Sequence, residues 1–408
     1  MRRVVITGVG LNSPLGNSYE ELYESLKAEK CGIEYVPEWE AIKDLGTKVA
    51  GRVKNVDLQA IPRKFRRSMG RVAQLAAVST GEAIADANLS QELLSSKRCG
   101  LAFGSTMGGN ETMFEYMPEV QAKMSFRGQN SMAFLKMMSH TVAANLAQMF
   151  EIKGRNIPTC SACTSSSQGI GAGYESVKYG MSDVMICGGA EEHHYLSAGV
   201  FDVMSAASTK HANEPHLSSK PFDESRDGLV VSEGSGAMVL EELEHALARG
   251  AKIYGEIIGY GTSCDGAHIT TPSKEGMRQV METSLEDANL RPSDVEYINA
   301  HATATARGDI AESHATHSLF GSATPVSSTK GHMGHLLGGC GVVESAICLI
   351  ALNKSFLPKT MNFKTLDKEC APINVLGENM EKEVNIVMSN NFAFGGINTS
   401  LIFKKYKA

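Results

Sequence analysis

Cys163 stands in Thr159-Cys160-Ser161-Ala162-Cys163-Thr164-Ser165-Ser166-Ser167, where a buried strand is expected to give way to a glycine-rich helix. A thiol in that place meets free backbone N–H groups and the positive end of the helix dipole, and both lower a cysteine pKa. A thiolate held there is a candidate nucleophile. The same amides could bind the oxyanion formed when it attacks a thioester. Two later segments offer partners, His301-Ala302-Thr303-Ala304-Thr305 and Lys330-Gly331-His332-Met333-Gly334-His335. His301 follows the apolar run Tyr297-Ile298-Asn299-Ala300, which places it at the C-terminal edge of a strand, where α/β sites gather. His335 lies in a glycine-rich turn that opens another helix, with Lys330 before it and Glu344 after it. A buried lysine close to a glutamate reads as an ion pair that orients its neighbours.

Other readings of these residue types compete. Cys160 and Cys163 form a C-x-x-C pair, which invites a redox or zinc interpretation, or two buried structural cysteines. No second cysteine pair follows at zinc spacing, and the chain is far longer than a thioredoxin-like domain. His332 with His335, and His314 with His317, are three residues apart and could touch one metal. No carboxylate is clearly placed as a third ligand, so no metal is expected. His193-His194 reads as structural. Asn390 to Asn398, with Gly395-Gly396, reads as a loop between strand-like Val384–Met388 and Thr399–Phe403. It could present an amide to a ligand or close a tight hairpin.

The elements that must hold these groups are legible as an alternation. Val4–Thr7, Gly100–Phe103, Val184–Cys187 and Val295–Ala300 read as buried strands, and Val72–Ala87, Gly276–Asn289 and Gly341–Asn353 carry helical spacing. That pattern predicts an α/β fold with mixed sheets covered by helices on both faces. Gly169, Gly171 and Gly173 follow Cys163 within a few turns, where each costs about 1 kcal/mol relative to alanine. Such a helix is expected in the core, where backbones approach closely. Val4 to Gly16 faintly echoes Ile253 to Gly266, which favours two halves, 1–250 and 251–408, meeting near Arg249-Gly250. Ala206 to Gly236 is the longest loop-like stretch, either a cover for a site or a surface excursion.

At 408 residues, with 42% hydrophobic and 21% charged residues, the chain reads as an ordered globular protein. A formal charge of −6 argues against general attraction to nucleic acid or membrane surfaces. No signal h-region and no uninterrupted apolar run of the ~18 residues needed for a membrane span are expected, which makes the cytoplasm the default location. Nine cysteines, an odd number, suit reduced thiols. Cys31, Cys99, Cys187, Cys264, Cys340, Cys348 and Cys370 are expected as small core hydrophobes.

Taken in order and spacing, these segments resemble the β-ketoacyl-acyl carrier protein synthases, in the branch of the elongating type II enzymes. The likeness runs from Ile6-Thr7-Gly8-Val9-Gly10 to Leu401-Ile402-Phe403, through Gly188-Gly189-Ala190-Glu191, Ser219-Lys220-Pro221-Phe222-Asp223, Arg226-Asp227-Gly228 and Phe394-Gly395-Gly396. The resemblance implies a thiolase-like, layered αβαβα fold of two pseudo-symmetric halves that forms a dimer. It implies a decarboxylative Claisen condensation without organic cofactor or catalytic metal. Cys163 would accept an acyl group from a carrier-protein thioester, and His301 and His335 would assist decarboxylation of the malonyl carrier. Lys330 with Glu344 would organise the site. The amides of Cys163 and Phe394 match an oxyanion hole, and Phe394 a gate. Thr303 and Thr305 match contacts to the pantetheine arm, and Met107 an acyl-pocket position.

The family usually has glycine and serine where Ala302 and Ala304 stand, and serine, methionine and threonine where Gly331-His332-Met333 stand. These departures are similar to ketosynthases of specialised polyene pathways, such as aryl polyene pigments, which often pair with an inactive chain-length-factor subunit. A homodimer in housekeeping fatty-acid synthesis is the other expectation. The carrier protein of this family is acidic, which assigns its docking to Arg63, Lys64, Arg66 and Arg67, with Arg71 nearby; a solvated helix face is the plainer reading. A thiolase-like acyltransferase and a scaffolding subunit of a type II synthase complex are the alternatives.

Overall fold

The computed structural model describes residues 1–407. Its apolar runs become strands of an 11-stranded mixed sheet. Five come first in the chain: β1 (Val4–Asn12), β2 (Cys99–Gly104), β3 (Asn156–Thr159), β4 (Val184–Glu191) and β5 (Gly234–Glu242). Five more follow: β6 (Gly255–Cys264), β7 (Tyr297–Asn299), β8 (Pro325–Ser327), β9 (Ile386–Phe392) and β10 (Ile397–Lys404). A two-residue strand, Asn374–Val375, borders β8.

The first series lies in the order β3-β2-β4-β5-β1 and the second in the order β8-β7-β9-β10-β6. Directions repeat as well. β2 runs parallel to β3 and β4, as β7 does to β8 and β9, while β5 and β10 are antiparallel to both neighbours. β1 and β6 pair antiparallel through Val4–Ile6 and join the two series.

Seven helices position the site: α1 (Arg71–Asp86), α2 (Asn110–Lys123), α3 (Ser131–Met137), α4 (Ser165–Lys178), α5 (Lys274–Ala288), α6 (Ala306–Phe320) and α7 (Cys340–Lys354). α1 packs on β1 and β5, and α5 packs on their counterparts β6 and β10. α4 and α7 touch each other, and each touches strands of both series. They form a middle layer between the two halves of the folded-over sheet, and this is the thiolase-like layered fold.

Burial in that layer explains their composition. A Cβ at Gly171 of α4 would lie 2.1 Å from the Tyr260 ring of β6, and one at Gly173 would lie 2.1 Å from Cys187 Sγ of β4. Glycine there admits an approach that no side chain permits. α7 is buried from Cys340 to Leu352. The expectation of no uninterrupted apolar run of membrane length holds, because Glu344 interrupts the most apolar helix. Leu337–Lys354 has the length and a mean hydropathy of 1.4, but 89% of it is buried inside the protein, as a core helix packed on α4 and on strands of both series.

Other expectations are adjusted. Gly234–Gly236 belongs to β5 rather than to the long loop, and Asn390–Phe392 belongs to β9, which leaves only 393–396 as the connecting turn. Cys264 is exposed because it ends β6 beyond the covered part of the sheet, and Cys31 is only half-buried. The other five cysteines assigned to the core are buried.

Candidate active site

β3, short and partly exposed rather than a buried strand, leads into a single 3-10 turn, Ala162–Thr164, that carries Cys163 ahead of α4. Ala162 adopts φ +51°, a left-handed conformation that an alanine accepts only when its surroundings enforce it. Three bonds do so: Ser161 N–H to Ser165 Oγ at 3.0 Å, Ser165 Oγ to the Ala162 carbonyl at 2.7 Å, and Thr164 N–H to the Ser161 carbonyl at 3.2 Å. Cys163 is thereby presented at the end of the middle layer, 7% exposed.

His335 Nε2 lies 2.9 Å from Cys163 Sγ. The His301 ring stands edge-on to the His335 ring, with centroids 5.1 Å apart. One ligating atom from each of Cys163, His301 and His335 falls within 4.8 Å of the others. Backbone rather than side chain holds His335: its N–H donates to the Val230 carbonyl at 2.7 Å, and its carbonyl accepts from Ser232 N–H at 2.9 Å. The long loop therefore runs beneath the site with Val230–Ser232 buried. His301 N–H donates to Glu312 Oε1 at 2.8 Å, and Thr303 N–H donates to Asp309 Oδ1 at 3.1 Å, both carboxylates coming from α6.

Behind the imidazoles, Lys330 Nζ pairs with Glu344 Oε1, and both side chains are almost wholly buried. Asn391 Nδ2 donates to Glu344 Oε2 at 2.6 Å and lies 3.5 Å from His301 Nδ1. Burial pulls the Lys330 ammonium down, but Glu344 and the further acidic groups around it outweigh burial and hold it above its ordinary range. Burial lifts Glu344, opposed by Lys330 and Asn391. The pair is ionic.

Its field sets the protonation of its neighbours. His301 and His335 are held well below the usual imidazole range, first by burial and then by the Lys330 charge, so both rings are neutral. Cys163 departs from its expected ionisation. Burial pushes its thiol up to about 12, against a lowering by Lys330, with Glu191 and Glu344 pushing it further up. Burial outweighs the lowering by Lys330, and the resting thiol is protonated.

Sequence reasoning missed several residues here. Asp309, in the first turn of α6, carried the visible signal of a helix-start carboxylate, whereas Glu312, a turn further on, carried none. Asn391 and Cys340 had no signal of a role. Cys340 Sγ donates to the Cys163 carbonyl at 3.2 Å and receives Asn391 Nδ2 at 3.6 Å.

The remaining assigned residues surround this centre. Thr303 Oγ1 lies 3.1 Å from Thr305 Oγ1, and Thr305 is the N-cap residue of α6. Phe394 is 37% exposed in the turn after β9, its ring 5.5 Å from Phe201. Neither the Cys163 nor the Phe394 N–H donates to another of the described residues. Met107 is 43% exposed. Arg63, Lys64 and Arg67 are exposed and Arg66 is half-buried, but Arg71 leaves that cluster, tied to Glu233 by contacts of 2.7 and 2.6 Å. His332 is placed between the Lys30 and Lys359 carbonyls, at 3.1 and 3.2 Å, and His314 Nε2 contacts the Glu369 carbonyl at 3.0 Å. His193 stacks on Trp39, and His194 caps the helix Tyr195–Val203. Cys160 is exposed, with Sγ toward the Thr106 carbonyl.

A duplicated mixed sheet around two central helices, with a cysteine and two neutral imidazoles at their ends, defines a thiolase-like condensing-enzyme class. Residues 1–246 match the family description "Beta-ketoacyl synthase, N-terminal domain", and residues 254–364 match "Beta-ketoacyl synthase, C-terminal domain". The chain belongs to the β-ketoacyl synthase family. It is 40% identical over 408 residues to 3-oxoacyl-[acyl-carrier-protein] synthase 1 of Haemophilus influenzae, with 100% of both chains covered. The crystal structure of a β-ketoacyl synthase from Burkholderia phymatum has a TM-score of 0.96 at 43% identity, with 100% of both chains covered. The ishigamide ketosynthase/chain length factor has a TM-score of 0.92 at 28% identity, again with 100% of both chains covered.

The protonated thiol leads to a measurable pH profile. Alkylation of Cys163 by iodoacetamide should accelerate about tenfold per unit from about pH 7 to 10, without levelling near the ordinary thiol pKa of ~8.5. The Lys330→Met, Glu344→Gln pair should slow it at fixed pH, because Lys330 lowers the thiol pKa more than Glu344 raises it. A plateau by about pH 8 would contradict the assignment.

Proposed function

We propose that this chain is the catalytic ketosynthase of a type II system, elongating carrier-bound acyl chains by two carbons from malonyl units. The observation that carries the reading is the buried Cys163–His335–His301 cluster backed by the Lys330–Glu344 pair. In the first half-reaction the Cys163 sulfur attacks the acyl-carrier thioester, and the thiol proton leaves with the carrier thiol. His335 Nε2, at 2.9 Å, is placed to take that proton as the S–C bond forms. The free N–H groups of Cys163 and Phe394 would receive the oxyanion. Gly395 and Gly396, at φ +91° and +71°, give the Phe394 turn a backbone no other residue adopts easily.

In the second half-reaction a malonyl carrier loses CO₂. Its thioester oxygen becomes an enolate oxygen, and the resulting carbanion attacks the acyl-cysteine, releasing the Cys163 sulfur. One acyl carrier, one malonyl carrier and one proton give one 3-oxoacyl carrier, CO₂ and one free carrier thiol. His301 can donate its N–H to that enolate oxygen, and His335 can do so once its proton sits on Nε2, the tautomer opposite to the one that accepts the Cys163 proton. Asn391 beside His301 Nδ1 favours the tautomer with the proton on Nε2. Thr303 and Thr305 line the approach for the pantetheine arm, and Met107 belongs to the acyl pocket. A second cysteine is the thiolase base, but Cys340 is engaged with the Cys163 carbonyl and its thiol is pushed well above the ordinary range, first by burial.

The partner is an acyl carrier protein, docking on Arg63, Lys64, Arg66 and Arg67. A second thiolase-like subunit completes the enzyme. β3 leaves one sheet edge unpaired, and α2 and α3 with the stretch between them expose Met117, Met124, Phe126 and Phe134 beside the Met107 turn. That subunit is a second copy or a chain-length-factor-like homologue. The departures from the family pattern pack against the site. Ala304 holds φ +67°, and a Cβ at Gly331 would lie 2.8 Å from Met361. They favour specialised polyene elongation of the aryl polyene kind. Nine unpaired cysteines fit a reducing cytoplasm.

Two experiments test this reading. Intact-protein mass spectrometry of carrier proteins should show a two-carbon 3-oxo product with wild type and none with Cys163→Ala. Polyunsaturated acyl carriers should be preferred, and turnover should rise when a chain-length-factor-like subunit is added. Preference for saturated carriers by the homodimer alone would remove the polyene assignment, and an unacylated Cys163 with every carrier would remove the catalytic one. Separately, Arg66→Glu with Arg67→Glu should raise KM for the carrier about tenfold and flatten its salt dependence, leaving kcat within about twofold. Unchanged binding across salt would exclude this helix from docking.

A further inference from the structure

On the outer side of α1, a cleft of about 330 Å³ opens between that helix, the end of β1 and the stretch 55–61. None of its residues belongs to the cysteine site. Its volume falls at the small end of the range for ligand sites, roughly 300–1,000 Å³. Val56, Ile61, Val78 and Met149 supply apolar walls, and no lysine, arginine or histidine lines it.

The polar groups are of one kind. Asn12 is fully buried and spends both Nδ2 hydrogens on the Leu75 carbonyl and Ser235 Oγ, each at 3.2 Å, while its Oδ1 has no partner. Asn17 donates Nδ2 to the Lys54 carbonyl at 2.7 Å, and its Oδ1 is likewise unpaired. Glu82, on the same face of α1 as Val78, carries a buried Oε2 with no partner. Three residues of one cleft thus hold a buried acceptor oxygen with nothing to accept from, an arrangement that a donor would relieve. The charges that line the cleft are negative, and the guanidinium against the 55–61 stretch, Arg66, is directed to the Leu58 carbonyl at 3.4 Å and to Gln59 Oε1. Glu21 adds to the field at Glu82 while accepting Asn17 N–H at 2.7 Å, and Asp57 lines the cleft while accepting Gln59 N–H at 2.9 Å. Lys54, whose carbonyl accepts from Asn17, has its ammonium paired with Glu34.

We propose that this cleft binds a small organic cation, a primary ammonium group carried on a short apolar body. The ammonium N–H groups would meet Asn12, Asn17 and Glu82, and the hydrocarbon would lie on Val56, Val78 and Met149. A bare metal ion would leave those walls uncovered, and an alcohol would leave the negative field unanswered. Burial, with Glu21 adding to it, pushes the Glu82 carboxyl up to about 7, and the Leu11 N–H opposes this. The carboxylate that the cation needs is lost as pH falls through that value, so binding weakens in acid.

Calorimetric titration of the full chain with n-butylammonium chloride tests this, beside n-butanol, butyrate, potassium and calcium. Butylammonium should bind saturably at about pH 8, about tenfold weaker at about pH 6, and at least about tenfold weaker in Glu82→Gln. Gly81→Leu should also block binding, since a Cβ there meets only the Phe150 ring, at 3.7 Å, and the longer side chain covers the cleft. Retained condensing activity and an unchanged Tm establish that both variants are folded. Absence of binding, equal binding of butanol, preference for potassium or calcium, or full affinity in Glu82→Gln would each overturn the proposal.

Discussion

The site depends on one buried ion pair. Lys330 and Glu344 lie almost wholly out of water, where each charge alone would be destabilised by several kcal/mol. Each is tolerated because the other is present, and because Asn391 satisfies the second carboxylate oxygen at 2.6 Å. Losing either partner would strand a charge in the core. The pair supplies the one fixed positive charge beside the two imidazoles, which is a principal reason they stay neutral. It also orders Asn391, which in turn faces His301 Nδ1. A centre of one cysteine and two neutral histidines is thus assembled around a single buried charge.

Fold and chemistry meet at the repeated topology. β3 and β8 are corresponding strands, and each is followed by a central helix, α4 or α7. Cys163 precedes α4, whereas Lys330 and His335 precede α7, so two equivalent positions bring Cys163 and His335 face to face. β7, which corresponds to β2, delivers His301 at its end. The glycines of α4 allow that helix to approach β6 and β4 closely enough for the two halves to share one interior. A larger side chain at Gly171 would meet the Tyr260 ring and disturb the middle layer that presents Cys163.

The residues legible from the sequence were those with an unusual type in an unusual place. Cys163 before a serine-rich helix start, His301 after an apolar strand, and Lys330 and His335 within a glycine-rich turn all announced themselves locally. Other features depend on contacts made across the fold. Glu312 takes its meaning from the His301 N–H, and Val230–Ser232 from the His335 backbone, neither of which spacing reveals. The thiol illustrates a change of sign. Local chemistry at a helix start favours a thiolate, but complete burial opposes it more strongly, and burial is a property of the assembled layers. Leu337–Lys354 can be apolar enough to resemble a membrane span because it is buried in the middle layer, against α4 and strands of both series.

The claim on which this account rests is that both imidazoles are neutral in the resting site, under the Lys330 charge. Nitrogen-15 NMR of histidine-labelled protein from about pH 5 to 8, with His301 and His335 assigned by single substitution, measures that directly. Both should keep the shifts of a neutral ring, one protonated nitrogen each, across the whole range. Titration of either ring near the ordinary value of about 6.5 would contradict the account.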